Sequence, residues 1–193
     1  MEQPKNNLKV ISEKKNVRMI LPNMLTLIGV CIGLTSIRFS FNGQFDLAII
    51  AIIIAALIDG LDGRIARLIK GTSKVGKELD SLTDMISFGV APAFIMYFWT
   101  LSSLGRFGWL ICLIYVICLA LRLARFNINS NQEPSWIDNF FEGVPSPAGG
   151  ILVLTPLVIG MTNFDYIKLY NNIIAPIFFI TTSLLLISKF HTY

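Results

Sequence analysis

Charged residues are scarce in this 193-residue sequence. They make up 15% of it, whereas 54% of the residues are hydrophobic and the mean hydropathy is +0.66. Soluble globular domains carry about 25% charged residues, so this composition excludes an ordinary water-soluble domain. Several charge-free stretches, such as the one between Arg18 and Arg38, have roughly the 20 residues that a helix needs to cross a bilayer. The sequence therefore predicts a membrane protein.

Histidine and cysteine are nearly absent. The single histidine, His191, lies close to the end of the sequence, which argues against histidine-based catalysis and against a histidine-containing metal site. The three cysteines, at positions 31, 112 and 118, fall inside apolar stretches without metal-ligand spacing, so we interpret them as small buried side chains. No signal peptide is expected, because the first 18 residues are polar and rich in lysine.

The apolar stretches predict an all-α fold, a polytopic membrane helical bundle of about six transmembrane helices. Residues 1–18 are expected to form a cytosolic N-terminal segment, and residues 19–193 a single membrane domain. The predicted spans are residues 20–39, 46–69, 79–101, 107–127, 146–163 and 172–189.

Basic residues are distributed unevenly between the two sides of the predicted bundle. With the N-terminus inside, 13 of the 16 lysines and arginines fall on the inner side and 3 on the outer side. Cytoplasmic loops of membrane proteins carry this excess. We therefore expect a protein of the inner, cytoplasmic membrane whose functional site faces the cytosol. Its positive charge is expected to serve contacts to membrane lipids, with no nucleic acid as a partner.

Four aspartates lie where a lipid-facing helix would not carry them. Asp59 and Asp62 are three residues apart near the end of the second predicted span, and Asp80 and Asp84 are four apart at the start of the third. Each pair shares one face of its helix, and the short connection brings the pairs together. Carboxylates inside a membrane protein are costly unless they face an interior site and are neutralised. Oxygen ligands alone suit Mg²⁺, Mn²⁺ or Ca²⁺, and two such ions are typical of displacement at phosphorus.

The spacing of these aspartates and their neighbours resembles a family signature. From Asp59 to Asp84 the sequence reads Asp-x2-Asp-Gly-x2-Ala-Arg-x8-Gly-x3-Asp-x3-Asp, the pattern of the CDP-alcohol phosphotransferases. The resemblance implies that the first three aspartates hold two Mg²⁺ or Mn²⁺ ions. It implies that Asp84 completes this metal site and accepts the proton of the acceptor hydroxyl. It also implies contacts to the CDP group from a further set of residues: Asn23, Thr26, Gly63, Ala66, Arg67 and Gly76.

Two further stretches resemble the phosphatidylserine synthases within this family. They are residues 122–127, Arg-Leu-Ala-Arg-Phe-Asn, and residues 141–148, Phe-Glu-Gly-Val-Pro-Ser-Pro-Ala. The resemblance implies transfer of a phosphatidyl group from CDP-diacylglycerol to L-serine, with release of CMP, by a homodimer. Arg122, Arg125 and Ser146 are candidate contacts to the acceptor. The two arginines could equally anchor the inner end of a span, and Ser146 could simply cap the helix that follows.

Two alternatives stay open at this point. The acceptor could be glycerol-3-phosphate, an inositol phosphate or choline, because charge alone does not decide between these alcohols. A cation transporter is the alternative from another class; it predicts acidic groups distributed across the depth of the membrane, whereas the four aspartates lie at one edge. Many members of the resembled family continue beyond the position of Tyr193, so we expect either a truncated chain or a minimal family member.

Overall fold

Helices account for almost all of the described chain. The computed structural model describes residues 5–68, 74–129, 141–142, 144–161, 165–188 and 191–192. Its helices are α1 (Lys5–Phe41), α2 (Phe45–Leu68), α3 (Lys74–Asp84), α4 (Ala91–Trp99), α5 (Arg106–Asn129), α6 (Ser146–Met161) and α7 (Asp165–Ile187). A π-helical turn, Met85–Val90, joins α3 directly to α4, and a 3₁₀ turn, Leu101–Leu104, follows α4. Two short strands, β1 (Phe141–Glu142) and β2 (His191–Thr192), pair antiparallel.

The all-α membrane bundle predicted from the sequence is confirmed. The helices α1, α2, α3 with α4, α5, α6 and α7 cover the predicted spans in order. Among the described residues, 3 stretches are long and apolar enough to cross a bilayer: Pro22–Phe41, Val75–Trp99 and Arg106–Ile128. Ser146–Met161 and Ile173–Ile187 are shorter apolar helices. The chain is therefore an integral membrane protein built from helices.

Two helices begin earlier than hydropathy predicts. α1 begins at Lys5 and runs without a break past residue 18, where the N-terminal segment was expected to end. α7 begins at Asp165, ahead of the predicted start at residue 172. Hydropathy reports which residues favour lipid, whereas a helix continues as long as its backbone hydrogen bonds do, so polar turns extend both helices. Most of the predicted connection at residues 128–145 lies outside the described residues.

Large apolar side chains cover the outside of the bundle. Leu57, Ile117 and Leu184, on three different helices, expose 63%, 55% and 65% of their surface. An apolar surface of this extent is unusual for a soluble protein and is the expected lipid-facing surface of a membrane bundle. The interior is filled by buried side chains from most of the helices: Ile52, Phe88, Ile95, Met96, Tyr115, Leu119, Leu157 and Phe179.

A stripe of small residues on α1 faces the other helices. Gly29 and Gly33 are four residues apart in this stripe, a spacing that lets membrane helices approach closely. A Cβ atom on Gly33 would lie 2.5 Å from the Oγ atom of Ser87, so α1 packs directly against the π-helical turn. The buried positions of α1 recur at intervals of three and four: Pro22, Thr26, Gly29, Gly33, Ser36 and Ser40.

An aromatic cluster lies at the end of the bundle where α1 and α4 finish and α5 begins. Its rings pack at centroid distances between 5.4 and 5.9 Å. Rings of this kind are enriched where a membrane protein meets the interface between lipid and water. The cluster consists of Phe41, Phe94, Tyr97, Phe98 and Trp109. The start of α3 lies at the opposite end of the bundle.

Candidate active site

Three of the four predicted aspartates converge at the end of the bundle opposite the aromatic cluster. One carboxylate oxygen from each of Asp59, Asp62 and Asp80 lies within 4.8 Å of the other two. Asp62 is buried, and Asp59 and Asp80 are half-buried. Oxygens at this separation need only small side-chain rotations to share a divalent cation at about 2.1 Å. The donor set consists of hard oxygen ligands, so the three residues fit a metal site.

Helix geometry explains why these carboxylates meet. Asp59 and Asp62 are three residues apart on α2, and Asp80 follows one and a half turns after the start of α3. Side chains at this spacing point from the same face of a helix. α1 packs against both α2 and α3 and thereby holds the two helix ends beside each other. The convergence expected from the sequence is therefore present.

Thr26 holds Asp62 in place from the neighbouring helix. The Oγ1 atom of Thr26 is 2.9 Å from Oδ2 of Asp62 and 3.0 Å from the carbonyl oxygen of Pro22, and both side chains are buried. The hydroxyl has one proton, so it donates to one of these acceptors at a time. The sequence predicts Thr26 as a contact to CDP, and the structure places its hydroxyl against a carboxylate of the candidate metal site.

Asp84 lies beside the three-oxygen group without being part of it. Its carboxyl group interacts with Asp59 and with Ser146. Two carboxylates as close as those of Asp59 and Asp84 repel each other unless a proton or a cation lies between them. The Oδ1 atom of Asp84 is buried and has no hydrogen-bond partner within the described chain. Asp84 therefore offers a buried acceptor atom that the described chain does not satisfy.

Arg122 and Ser146 extend the site from Asp84 towards α5 and α6. Nη1 of Arg122 donates a 2.7 Å hydrogen bond to Oγ of Ser146. Ser146 accepts this bond with its oxygen, so its own proton remains to donate towards Asp84. The Nε atom of Arg122 is buried and has no partner within the described chain. The site thus contains a buried donor, Nε of Arg122, and a buried acceptor, Oδ1 of Asp84, on the two residues that interact with Ser146.

Arg125 has a different environment from Arg122. Its Nη1 atom donates a 3.3 Å hydrogen bond to the carbonyl oxygen of Ile187, the last residue of α7. Helix ends leave carbonyl groups without intrahelical partners, and a cation there is favourable. The structure therefore gives Arg125 a contact to the end of α7, although the sequence proposed both arginines as contacts to the acceptor.

The remaining predicted contacts to CDP lie around the aspartates. Gly63 follows Asp62 on α2, and a Cβ atom there would meet no described atom within 4 Å. Gly76 lies one turn before Asp80 on α3, and Asn23 is half-buried one turn before Thr26 on α1. The helix α2 includes Ala66 and Arg67, but their side chains lie outside the described part of the chain.

A polar link between α3 and α5 was not predicted from the sequence. Oγ of Ser81 is 3.1 Å from Oδ1 of Asn127, and Nδ2 of Asn127 donates to Oε2 of Glu78 at 3.3 Å. The link ties the end of α5 to the turn of α3 that carries Asp80. The sequence signal for this link is the position of Asn127 at the end of the stretch 122–127.

Comparison with known proteins assigns the chain to a class. Residues 19–187 match the CDP-alcohol phosphatidyltransferase family, and this match covers most of the chain. The protein belongs to the CDP-alcohol phosphatidyltransferase family.

Within that family, three curated relatives carry the name CDP-diacylglycerol–serine O-phosphatidyltransferase. The relative from Mycobacterium leprae is 46% identical over 137 residues, which are 70% of this chain and 45% of the relative. The relative from Helicobacter pylori strain 26695 is 42% identical over 139 residues, 72% of this chain and 57% of the relative. The relative from Bacillus subtilis is 32% identical over 169 residues, 88% of this chain and 87% of the relative. The chain thus spans about half the length of the first two and most of the third.

Proposed function

We propose that this protein transfers the phosphatidyl group of CDP-diacylglycerol to the hydroxyl of L-serine and releases CMP. The observation that carries the proposal is the pair of buried atoms without partners, the acceptor Oδ1 of Asp84 and the donor Nε of Arg122. L-Serine offers a hydroxyl proton to the first and a carboxylate to the second. The names of the curated relatives support the same substrates.

The three clustered aspartates serve the donor in this proposal. Asp59, Asp62 and Asp80 would hold a pair of Mg²⁺ or Mn²⁺ ions, with Asp84 as a further ligand on the side of Asp59. When bound, such ions neutralise the pyrophosphate and stabilise the charge that develops on the leaving group. Gly63 has no side chain and open space beside it, so it lets the CDP group approach the backbone of α2. Four further residues and Thr26 are proposed to contact the same group: Gly76, Asn23, Ala66 and Arg67.

The reaction is a single displacement at phosphorus. Asp84 accepts the proton of the serine hydroxyl, and the serine oxygen forms a bond to the phosphorus that carries diacylglycerol. The bond from this phosphorus to the bridging oxygen breaks, and CMP leaves with the bridging oxygen. Arg122 holds the serine carboxylate through Nε while its Nη1 bond to Ser146 fixes the guanidinium. Neither a redox cofactor nor a covalent intermediate is required.

The identity of the acceptor alcohol and the orientation of the protein in the membrane rest on observations other than the metal site. A single buried guanidinium suits a carboxylate, whereas glycerol-3-phosphate or an inositol phosphate would bring a doubly charged group, and choline would bring a cation. Nη1 of Arg125 contacts the end of α7. The excess of basic residues near the acidic end supports an active site that faces the cytosol. A homodimer is part of the proposal on the resemblance alone.

The test measures CMP release by the purified protein in lipid with CDP-diacylglycerol and Mg²⁺ or Mn²⁺. L-Serine, glycerol-3-phosphate, inositol phosphate and choline are added one at a time. We expect release that depends on L-serine and that EDTA abolishes. Release with another alcohol would keep the chemistry and overturn the acceptor. No release with any of them, together with uptake of divalent ions into sealed vesicles, would favour the transporter.

Asp84→Asn tests the proposed base. The amide cannot accept the proton, so we expect turnover to fall by about 100-fold or more while binding of the CDP-lipid changes little. Asp46→Asn is the matched control, because Asp46 is exposed in the first turn of α2, at the other end of that helix. Near-normal turnover in Asp84→Asn, or an equal loss in the Asp46 variant, would refute the assignment.

A further inference from the structure

The π-helical turn Met85–Val90 follows Asp84 without a gap. In this turn the amide of Ala91 donates to the carbonyl oxygen of Ile86, five residues earlier. Such a turn inserts one residue into a helix, and π-helical turns of this size occur frequently at functional sites. One residue of an α-helix corresponds to a rotation of about 100° and a rise of about 1.5 Å. The turn therefore determines in which direction the side chains of α3 point relative to those of α4. Asp84 is the residue of α3 that directly precedes the turn.

A proline removes the α-helical donor of one carbonyl group in this turn. Pro92 has no amide proton, so it cannot donate to the carbonyl oxygen of Phe88, four residues earlier. The hydroxyl of Tyr115, on α5, donates to this oxygen at 2.7 Å. Tyr115 and Phe88 are both fully buried, where an unpaired carbonyl is unfavourable. The hydrogen bond from Tyr115 thus replaces the one that Pro92 removes.

The surrounding helices leave the turn little room to move. A Cβ atom on Gly33 of α1 would lie 3.1 Å from the Cα atom of Ser87, and one on Gly150 of α6 would lie 3.2 Å from the Cα atom of Phe88. Contacts this close hold the backbone of the turn from two sides. Tyr115 adds the third side from α5, and its own ring packs edge-on against Phe179 of α7 at a centroid distance of 5.3 Å.

We propose that Tyr115 is a positioning residue for the reaction: its hydroxyl stabilises the π-helical turn and thereby directs the Asp84 carboxylate towards Ser146 and the acceptor. This inference rests on the proposed function of Asp84 as the base. Without the hydroxyl, the carbonyl of Phe88 loses this hydrogen bond, Pro92 cannot replace it, and the backbone of the turn relaxes from its present arrangement. A relaxation of this kind rotates Asp84 away from the acceptor but leaves the aspartates of α2 in place.

Tyr115→Phe removes the hydroxyl and keeps the ring against Phe179. We expect kcat for serine-dependent CMP release to fall by about 10- to 100-fold, since a misplacement of about 1 Å is enough for such a loss. The KM for CDP-diacylglycerol should change by less than about threefold, a factor that corresponds to under 1 kcal/mol. Tyr97→Phe is the control, because Tyr97 lies in the aromatic cluster at the far end and should retain full kcat.

A double variant separates positioning from stability. In Tyr115→Phe with Pro92→Ala, the new amide of residue 92 can donate to the carbonyl of Phe88 and close an α-helical bond. We expect the melting temperature to recover and kcat to stay low, because the carbonyl is paired but the turn is lost. Recovery of kcat together with the melting temperature would overturn the proposal, and so would a Tyr115→Phe protein with normal kcat.

Hydrogen exchange keeps this test independent of the proposed function. Amides of residues 85–91 should exchange faster in Tyr115→Phe than in the wild type and in Tyr97→Phe. If the wild type releases no CMP with L-serine, the proposed function fails, and the exchange data still decide whether Tyr115 holds the turn. Unchanged exchange in Tyr115→Phe would refute the inference even where the wild type is active.

Discussion

At the scale of single residues, hydroxyl groups hold the charged groups of the site. Thr26 reaches Asp62 from α1, and Ser146 accepts from Arg122 and reaches Asp84 from the start of α6. Each hydroxyl comes from a different helix than the charged group that it contacts. A hydroxyl is small, so it fixes the direction of a carboxylate or guanidinium without occupying the space that a substrate needs. Loss of such a supporting contact typically lowers metal affinity or activity by about 10- to 100-fold.

Thr26→Val tests the support of Asp62. Valine has nearly the same shape but cannot donate a hydrogen bond, so the carboxylate of Asp62 is no longer held in one orientation. We expect the Mg²⁺ or Mn²⁺ concentration for half-maximal CMP release to rise about 10-fold. Thr35→Val is the matched control, because Thr35 is exposed on the same helix and its hydroxyl only donates to the carbonyl of Cys31. A metal requirement that is the same in both variants would contradict the assignment.

The same substitution, arginine to lysine, distinguishes the roles of Arg122 and Arg125 on α5. Arg122→Lys keeps the charge but cannot contact both Ser146 and the acceptor, so we expect the KM for L-serine to rise about 10-fold, equivalent to one charge-assisted hydrogen bond. Arg125→Lys should leave this KM unchanged and lower stability by up to about 1 kcal/mol, since Arg125 contacts the end of α7. The measurements are serine titrations and thermal unfolding in detergent. A raised KM in Arg125→Lys alone would reverse the two assignments.

Residue spacing predicts the group of aspartates but not the contacts that other helices make to this site. The convergence of Asp59, Asp62 and Asp80 follows from spacings of three residues and from one short connection, which are both local properties. The contact between Thr26 and Asp62 joins residues 36 positions apart, and that between Arg125 and Ile187 joins residues 62 apart. Pairs like these depend on how α1 and α7 pack, and no pattern within either helix encodes that packing.

At the scale of helices, small residues decide where the bundle packs closely. Gly33 and Gly150 bring α1 and α6 against the same π-helical turn from different directions. Sequence patterns predict the helices well, because apolar stretches of membrane length have few other structures available. They do not predict the π-helical turn, because its wider hydrogen bonding depends on Pro92, on the hydroxyl of Tyr115 and on both glycines at once.

Two glycines one turn apart on α1 allow a matched test of this packing. Gly33→Ala would place a methyl group 2.5 Å from Oγ of Ser87, so we expect a loss of about 1–3 kcal/mol. In Gly29→Ala the new methyl would meet Thr83 at 3.6 Å, an ordinary contact, and a better helix former replaces glycine. Gly29→Ala should therefore keep the wild-type melting temperature or exceed it. Equal melting temperatures for the two variants would show that α1 does not pack on the turn in this way.

At the scale of the whole molecule, the two ends of the bundle differ in chemistry. One end carries the aspartates, Arg122 and the link from Glu78 to Asn127, and the other carries the aromatic cluster. The distribution of basic residues predicts which end faces the cytosol, but the helices themselves have no direction relative to the membrane. Orientation therefore remains a prediction that an experiment on intact membranes must decide.

Cysteine labelling tests the orientation. The native cysteines are replaced by alanine, and single cysteines are introduced as Gln44→Cys, in the turn after α1, or as Val75→Cys, which is exposed at the start of α3. In right-side-out vesicles, we expect a membrane-impermeant maleimide to label the first at once and the second only after permeabilisation. Ser102→Cys, in the 3₁₀ turn, should label like the first. The opposite pattern would place the aspartates outside.

The open side of α2 has a consequence for how the rate should be measured. Gly60 and Gly63 are exposed, and a Cβ atom on either would meet no described atom within 4 Å. In the proposed reaction, a two-tailed donor therefore has a sideways path to the aspartates that does not leave the bilayer. For such a donor the effective concentration is its mole fraction among the surrounding lipids and not its amount per volume of buffer. Adding inert phospholipid should slow the reaction as dilution does for a soluble enzyme, while the dependence on L-serine stays that of an ordinary solute in water.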